Sequence, residues 1–379
     1  MRWATTGLLT AALCTLASAC GARTGLDVPD SGYEDAGPDA GPCLPDRIPV
    51  SRPSIELLFL IDRSKSMEQS LDGGEPEAPI GERRWDLLAS ALEGAFGAPD
   101  PRLSVGAIFY PQYRGVDPGG VDDACQLESA VAVPPAFGGL DEVLGQFIRT
   151  QPEGGTPTAG ALSDAARFFA DNPSGDRRFV VLATDGAPNC NVAHFPNAPD
   201  CICTGLSLDN CVPSPPLRDQ ESANANCLDD VRTELRVEAL VAAGIPVYVV
   251  GIDDPTRPET AETLDVLALA GGRPRAEGGD RFYNIRQPGD LVRAFQEISD
   301  SVARCTFQLD RPPQPGEAGD LEVTLAGAAI PRDTTRRNGW DFTSPSLDAI
   351  ELFGPACGLA LEEEPVIELQ VECGPGPSP

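Results

Sequence analysis

The sequence predicts an α/β fold: a doubly wound, mostly parallel sheet flanked by helices, carrying a disulfide-rich insertion and followed by a small C-terminal β module. Two observations lead there. Short continuous apolar runs, the mark of strands buried on both faces, alternate along the chain with segments of helical period. From residue 306 onward the helical period disappears and only strand-like stretches remain. Strands separated by helices imply a parallel sheet covered on both faces, with ligands at the carboxyl ends of its strands.

Taken in order, "IELLFLI" (55–61) is the first buried strand, and residues 82–96 place Trp85, Leu88, Leu92 and Phe96 on one helical face. "LSVGAIFY" (103–110) is a second strand and "AVAV" (130–133) a short one; 140–148 and 159–170 are helical. "RFVVLAT" (178–184) is a strand, 228–243 a helix, and "IPVYVVGI" (245–252) another buried strand. A helix over 259–270, a strand at "RFYNI" (281–285) and a helix over 289–303, with Leu291, Phe295 and Ile298 at helical spacing, complete the alternation. Beyond it, "LEVTLAGAAI" (321–330), "AIELFG" (349–354) and "VIELQVEC" (366–373) read as strands. The expected organisation is a signal segment at 1–19, a spacer at 20–52, the α/β domain at 53–305 with its insertion at 187–227, and the β module at 306–379.

The chain of 379 residues is 41% hydrophobic, enough for a substantial core, while 39 Gly and 38 Pro point to long loops. Its formal net charge of −30, with no massed basic stripe, argues against nucleic acid as a partner. Lys65 is the single lysine.

Met1-Arg2-Trp3, an apolar stretch too short to span a bilayer, and Ala17-Ser18-Ala19-Cys20 together form an export signal. Its end resembles a bacterial lipobox, which implies acylation of Cys20; ordinary cleavage after Ala-x-Ala would leave the same cysteine free. With Gly21 following, the expected location is the cell envelope, at the outer membrane or cell surface. Membrane attachment would come through that lipid alone, with residues 21–50, rich in Asp, Gly and Pro, as a flexible spacer. Setting aside Cys14 and Cys20 leaves ten cysteines, an even set that suits disulfides in an oxidising compartment: Cys43, Cys125, Cys190, Cys201, Cys203, Cys211, Cys227, Cys305, Cys357 and Cys373. Five fall in the insertion, so at least one is expected to pair outside it. A zinc site there is the competing reading.

Three segments end in small oxygen-bearing side chains. Asp62, Ser64 and Ser66 follow the first strand, Thr156 sits in a Gly-Gly-Thr turn before a helix, and Asp185 follows "VVLAT". Each alone reads as a helix cap or a turn former. Together, Asp62-x-Ser64-x-Ser66, Thr156 and Asp185 resemble, in identity, order and placement, the metal-ion-dependent adhesion site of the von Willebrand factor A domain. The resemblance covers roughly residues 53–305, and Lys65 departs from the small residue common at its position.

The resemblance implies that Ser64, Ser66 and Thr156 donate hydroxyl oxygens to Mg²⁺, Mn²⁺ or Ca²⁺, with Asp62 and Asp185 balancing charge. A partner protein's Asp or Glu carboxylate would complete the shell. Such a protein is a binding module and not an enzyme. His194, the only histidine, lies in the insertion, and nothing in the sequence supplies a base for Ser64 or Ser66. Metal-assisted hydrolysis, and a metal-independent structural role in an envelope assembly, are the alternatives.

Overall fold

The computed structural model describes residues 46–73, 77–97, 100–112, 124–127, 131–191, 201–205, 208–213, 220–252, 258–275, 279–313, 317–343, 345–362 and 367–371. The signal segment, Cys20, Cys43, His194 and Cys373 lie outside them. The described chain begins with β1 (Asp46–Ile48) and β2 (Val50–Ser51), then β3 (Ile55–Asp62), α1 (Arg84–Phe96), β4 (Leu103–Tyr110), β5 (Val133–Phe137), α2 (Leu140–Arg149) and α3 (Thr158–Asp171). It continues through β6 (Arg177–Thr184), α4 (Gln220–Asn224), α5 (Asp230–Ala242), β7 (Val247–Ile252), α6 (Pro258–Ala270), β8 (Tyr283–Ile285) and α7 (Pro288–Arg304). Last come β9 (Thr306–Leu309), β10 (Leu321–Leu325), β11 (Ala328–Ile330), β12 (Gly339–Phe342), β13 (Ala349–Phe353), α8 (Pro355–Glu362) and β14 (Ile367–Val371).

A six-stranded sheet in the order β5-β4-β3-β6-β7-β8 forms the α/β domain, parallel throughout except for β5, which runs antiparallel at the edge. β3 is central, with Leu57–Ile61 an unbroken apolar run and both faces covered. Ile55, Leu57, Phe59 and Ile61 join the cluster that holds residues of α1, α2 and α7, while Leu58 and Leu60 join the one that holds residues of α3, α5 and α6. Phe59 meets Phe96 edge-on at 5.4 Å and Phe295 at 5.8 Å, fixing α1 and α7 against the strand. Since β3 and β6 are parallel neighbours, Asp62 and Thr184 finish at the same end of the sheet.

The second body is a sandwich of two antiparallel four-stranded sheets, β1-β14-β10-β11 and β12-β13-β9-β2. Ile48, Phe307, Val323, Trp340, Ile350 and Leu369 are among the residues of its core. Three corrections to the sequence reading follow. Residues 46–51, expected at the end of the spacer, form β1 against β14 and β2 against β9, so the sandwich is assembled from both sides of the α/β domain. The short strand expected at 130–133 instead runs over Val133–Phe137, and α8 adds a helix where only strands were expected.

The sandwich lies at the amino ends of the parallel strands. Arg177, the first residue of β6, contacts Asp348 at 3.1 Å and also bonds Thr343. Arg273 and Glu351, both buried, pair at 2.7 Å. Ser301 then donates to Glu351 at 2.8 Å and lies 2.9 Å from the Tyr248 hydroxyl. Cys305–Cys357 ties the end of α7 to α8.

Candidate metal centre

At the carboxyl end of β3 the chain turns at Ser64 into a short 3₁₀ turn over Lys65–Glu68. The turn brings the two hydroxyls together, with Ser64 Oγ and Ser66 Oγ 3.0 Å apart. Asp62 is fully buried; its Oδ1 accepts the Ser64 amide at 2.8 Å and its Oδ2 accepts the Thr184 hydroxyl at 2.6 Å. From the end of β6, Asp185 accepts the Ser66 hydroxyl on Oδ1 at 2.9 Å and Arg84 Nη1 on Oδ2 at 2.7 Å. Four of the five expected residues are thus joined directly.

Thr156 enters through its backbone. Lys65 N donates to Gly154 O at 3.1 Å, which sets the Gly-Gly-Thr loop against the serine turn. Gly154 has a φ of +90°, a conformation that favours glycine, and a side chain there would meet Ala124 O at 2.7 Å. Asn189 clamps Thr156 on both sides: its Oδ1 accepts the Thr156 amide at 2.7 Å, and its own amide donates to Thr156 O at 3.0 Å. Thr156 itself is buried.

Asn189 also links this centre to the insertion, through Nδ2 to Thr204 Oγ1 at 3.2 Å. The insertion carries three disulfides, Cys125–Cys190, Cys201–Cys227 and Cys203–Cys211. All five of its cysteines are therefore oxidised, which overturns the zinc-thiolate reading. Cys190 adopts a φ of +67° and is held by its disulfide and by its backbone amide, which donates to Ala225 O at 2.6 Å.

Burial, and secondarily the Asp185 charge, push the Asp62 carboxyl up to about 7, against the pull of the Thr184 hydroxyl and the Ser64 amide. Burial raises the neighbouring Tyr110 phenol well above its ordinary value, helped by the charge of Asp62. Its hydroxyl lies beside Thr158 and Thr184 but closes a hydrogen bond of good geometry to neither. At the rim, the exposed Lys65 pairs with Glu68 at 2.5 Å.

Among the described residues no three His, Cys, Asp or Glu side chains gather as a metal-ligand cluster. The donor set at this centre is of another kind, hydroxyl and carboxylate oxygens without nitrogen or sulfur, which is the chemistry of a hard cation such as Mg²⁺ or Mn²⁺. Those residues fit such an ion. Sequence reading missed Thr184, Arg84 and Asn189. Thr184 sat in plain view beside Asp185, whereas Arg84 reaches Asp185 across 101 positions of chain and left no local signal.

No family model matches the chain, and no curated protein matches it. Similar solved structures include the PilB minor pilin from Streptococcus sanguinis, at 16% identity and a TM-score of 0.41, over 67% of this chain and 62% of that one. The chain therefore spans less than two thirds of that pilin. The vWF domain of the type V pili tip protein Mfa5 from Porphyromonas gingivalis matches at 13% identity and a TM-score of 0.41, over 66% of this chain and 96% of that one. Manganese-loaded TRAP protein from Plasmodium vivax matches at 14% identity and a TM-score of 0.40, over 78% of this chain and 90% of that one. Each is a likeness of overall fold, at an identity too low to carry chemistry from one chain to the other.

Proposed function

We propose that this protein is an adhesion-type binding module of the cell envelope, anchored through a lipid on Cys20, that recognises a partner protein's Asp or Glu through a divalent cation. One observation carries the reading. Ser64 and Ser66 lie within 3.0 Å of each other, and Ser66 bonds Asp185 at 2.9 Å across 119 positions of sequence. The segments that follow β3 and β6 thereby meet at the carboxyl edge of the sheet, with the Thr156 loop set against them by the Lys65 amide on Gly154 O.

Ser64, Ser66 and Thr156 would hold the ion by their hydroxyls, with Asp62 and Asp185 supplying negative charge. When bound, the ion offers a Lewis-acidic position that a partner carboxylate can fill. The residues themselves do the positioning: Thr184 orients Asp62, Asn189 fixes the Thr156 backbone, and Arg84 holds Asp185. A binding role suits the serines better than a nucleophilic one. Ser66 donates to Asp185 Oδ1 while Arg84 occupies Oδ2, so both oxygens of that carboxylate are already engaged.

Calorimetric titration of Mg²⁺ and Mn²⁺ into the purified chain tests this. The expected result is one binding site per chain, lost in Asp62→Ala. No heat of binding from either ion would end the proposal.

A further inference from the structure

We infer that Arg84 is a built-in counter-cation of the metal centre, one that weakens the hold on a bare divalent ion and makes its retention depend on an acidic partner. The inference rests on the metal reading above and deepens it. Arg84 is the first residue of α1, and only 4% of its side chain is exposed. Its Nη1 pairs with Asp185 Oδ2 at 2.7 Å, its Nε donates to Ser70 O at 3.0 Å, and its amide donates to Gln69 O at 2.9 Å. The guanidinium is thus fixed from two sides against a carboxylate with no exposed side-chain surface.

Of the other cations close by in sequence, Lys65 pairs with Glu68 and Arg83 with Asp86 at 2.7 Å, while the buried Arg63 faces the charge of Glu153. Among the described residues that pair with the expected ligands, Arg84 alone carries a positive charge into the centre.

The consequence is a matter of charge. Asp62 and Asp185 together would match a divalent ion. With Arg84 on Asp185 the protein offers a net single negative charge, and the ion keeps one positive charge uncompensated in a buried, poorly screened place. An incoming carboxylate supplies the missing charge. Ion and acidic ligand therefore raise one another's affinity, and by linkage they do so by the same factor. This also accounts for an acidic protein, of net charge −30, recognising an acidic group: the attraction is generated locally, by an ion the protein does not fully neutralise.

The test uses the whole purified chain, Mn²⁺ as the ion and acetate as the carboxylate probe. In the unaltered protein acetate should tighten Mn²⁺ binding; an acetate-independent Mn²⁺ affinity would overturn the inference without any substitution being made. Arg84→Gln should bind Mn²⁺ alone about tenfold more tightly and lose most of the acetate effect. In chelator this variant should melt at a lower temperature, since Asp185 is left buried and unpaired, and Mn²⁺ should restore most of the loss by taking over that charge.

If Arg84→Gln binds Mn²⁺ no more tightly and stays destabilised with the ion present, Arg84 is only a staple for the loop before α1. The inference then fails while the metal reading stands, provided the unaltered chain binds Mn²⁺ and Asp62→Ala does not. Absence of Mn²⁺ binding by the unaltered chain removes both.

Discussion

Asp62 sets the pH behaviour of the centre. Its carboxyl stands at about 7 in the fold against 3.8 for an unperturbed Asp, raised first by burial and then by Asp185. Between those values the ion-free fold binds more protons than the unfolded chain, so the contribution of this group to stability falls as pH rises through that window. An ion reverses the trend, because it must displace the proton: its apparent affinity should weaken by up to about tenfold for each pH unit below about 7. The rise in melting temperature on adding Mn²⁺ should accordingly be larger at about pH 8 than at about pH 5.5, and equal rises would contradict this role for Asp62. The residues that make up this centre differ in how openly the sequence declares them. Asp62, Ser64, Ser66 and Asp185 were legible, since their identities and strand-end positions are local facts. Arg84 and Asn189 were not: an Arg at a helix start and an Asn in a loop have many ordinary uses, and only the folded chain shows which carboxylate or amide each one meets.

At the scale of elements, the insertion acts as a brace for the Thr156 loop. The Asn189 clamp contributes two hydrogen bonds to the Thr156 backbone, each worth about 1 kcal/mol net. Asn189→Ala removes the one made by the side chain and cuts the tie to Thr204, leaving a loosened hydroxyl donor. Its Mn²⁺ affinity should drop by roughly tenfold, and its melting temperature in chelator should fall by a few degrees, because the Thr156 amide loses its acceptor. Gly155→Ala probes the same brace sterically, because an added Cβ would lie 2.9 Å from Cys190 Sγ and 3.0 Å from Asn189 Oδ1. It should weaken ion binding at least as much as Asn189→Ala; unchanged titration curves for both variants would show that the insertion does not hold the centre. The long elements were readable because burial on both faces writes itself as an unbroken apolar run, as in β3, β6 and β7. β1 and β2 were hidden, being three and two residues long in a stretch punctuated by Pro45, Pro49 and Pro53. Their pairing with β14 and β9 comes from partners more than 250 positions away, which no local period encodes.

On the scale of the whole molecule, the chain leaves the sandwich after β2 and returns to it at β9, so the candidate metal centre and the two ends of the described chain lie at opposite ends of the sheet. Asp46 pairs with Val371, which places entry and exit side by side. Under the proposed attachment at Cys20, the described residues begin at Asp46 in the sandwich, at the end of the sheet away from the candidate centre. The buried Arg273–Glu351 pair, extended through Ser301 to Tyr248, joins the sandwich to the sheet beside the Arg177 contacts and the Cys305–Cys357 disulfide. Burying two charges is costly, so the pair is weak evidence for stability as such, but removing one partner strands the other. Glu351→Ala should therefore lose roughly 3–5 kcal/mol, with Arg273 left unpaired over Phe179 and Tyr248. Because the loss falls on the junction and not on either core, calorimetric melting should pass from one transition to two, the sandwich unfolding first. A chain beginning at Pro53, lacking β1 and β2, should show the same early loss for a different reason, since each sheet of the sandwich gives up an edge strand. A single transition at the original temperature in Glu351→Ala would mean that the two bodies are coupled by something other than this network.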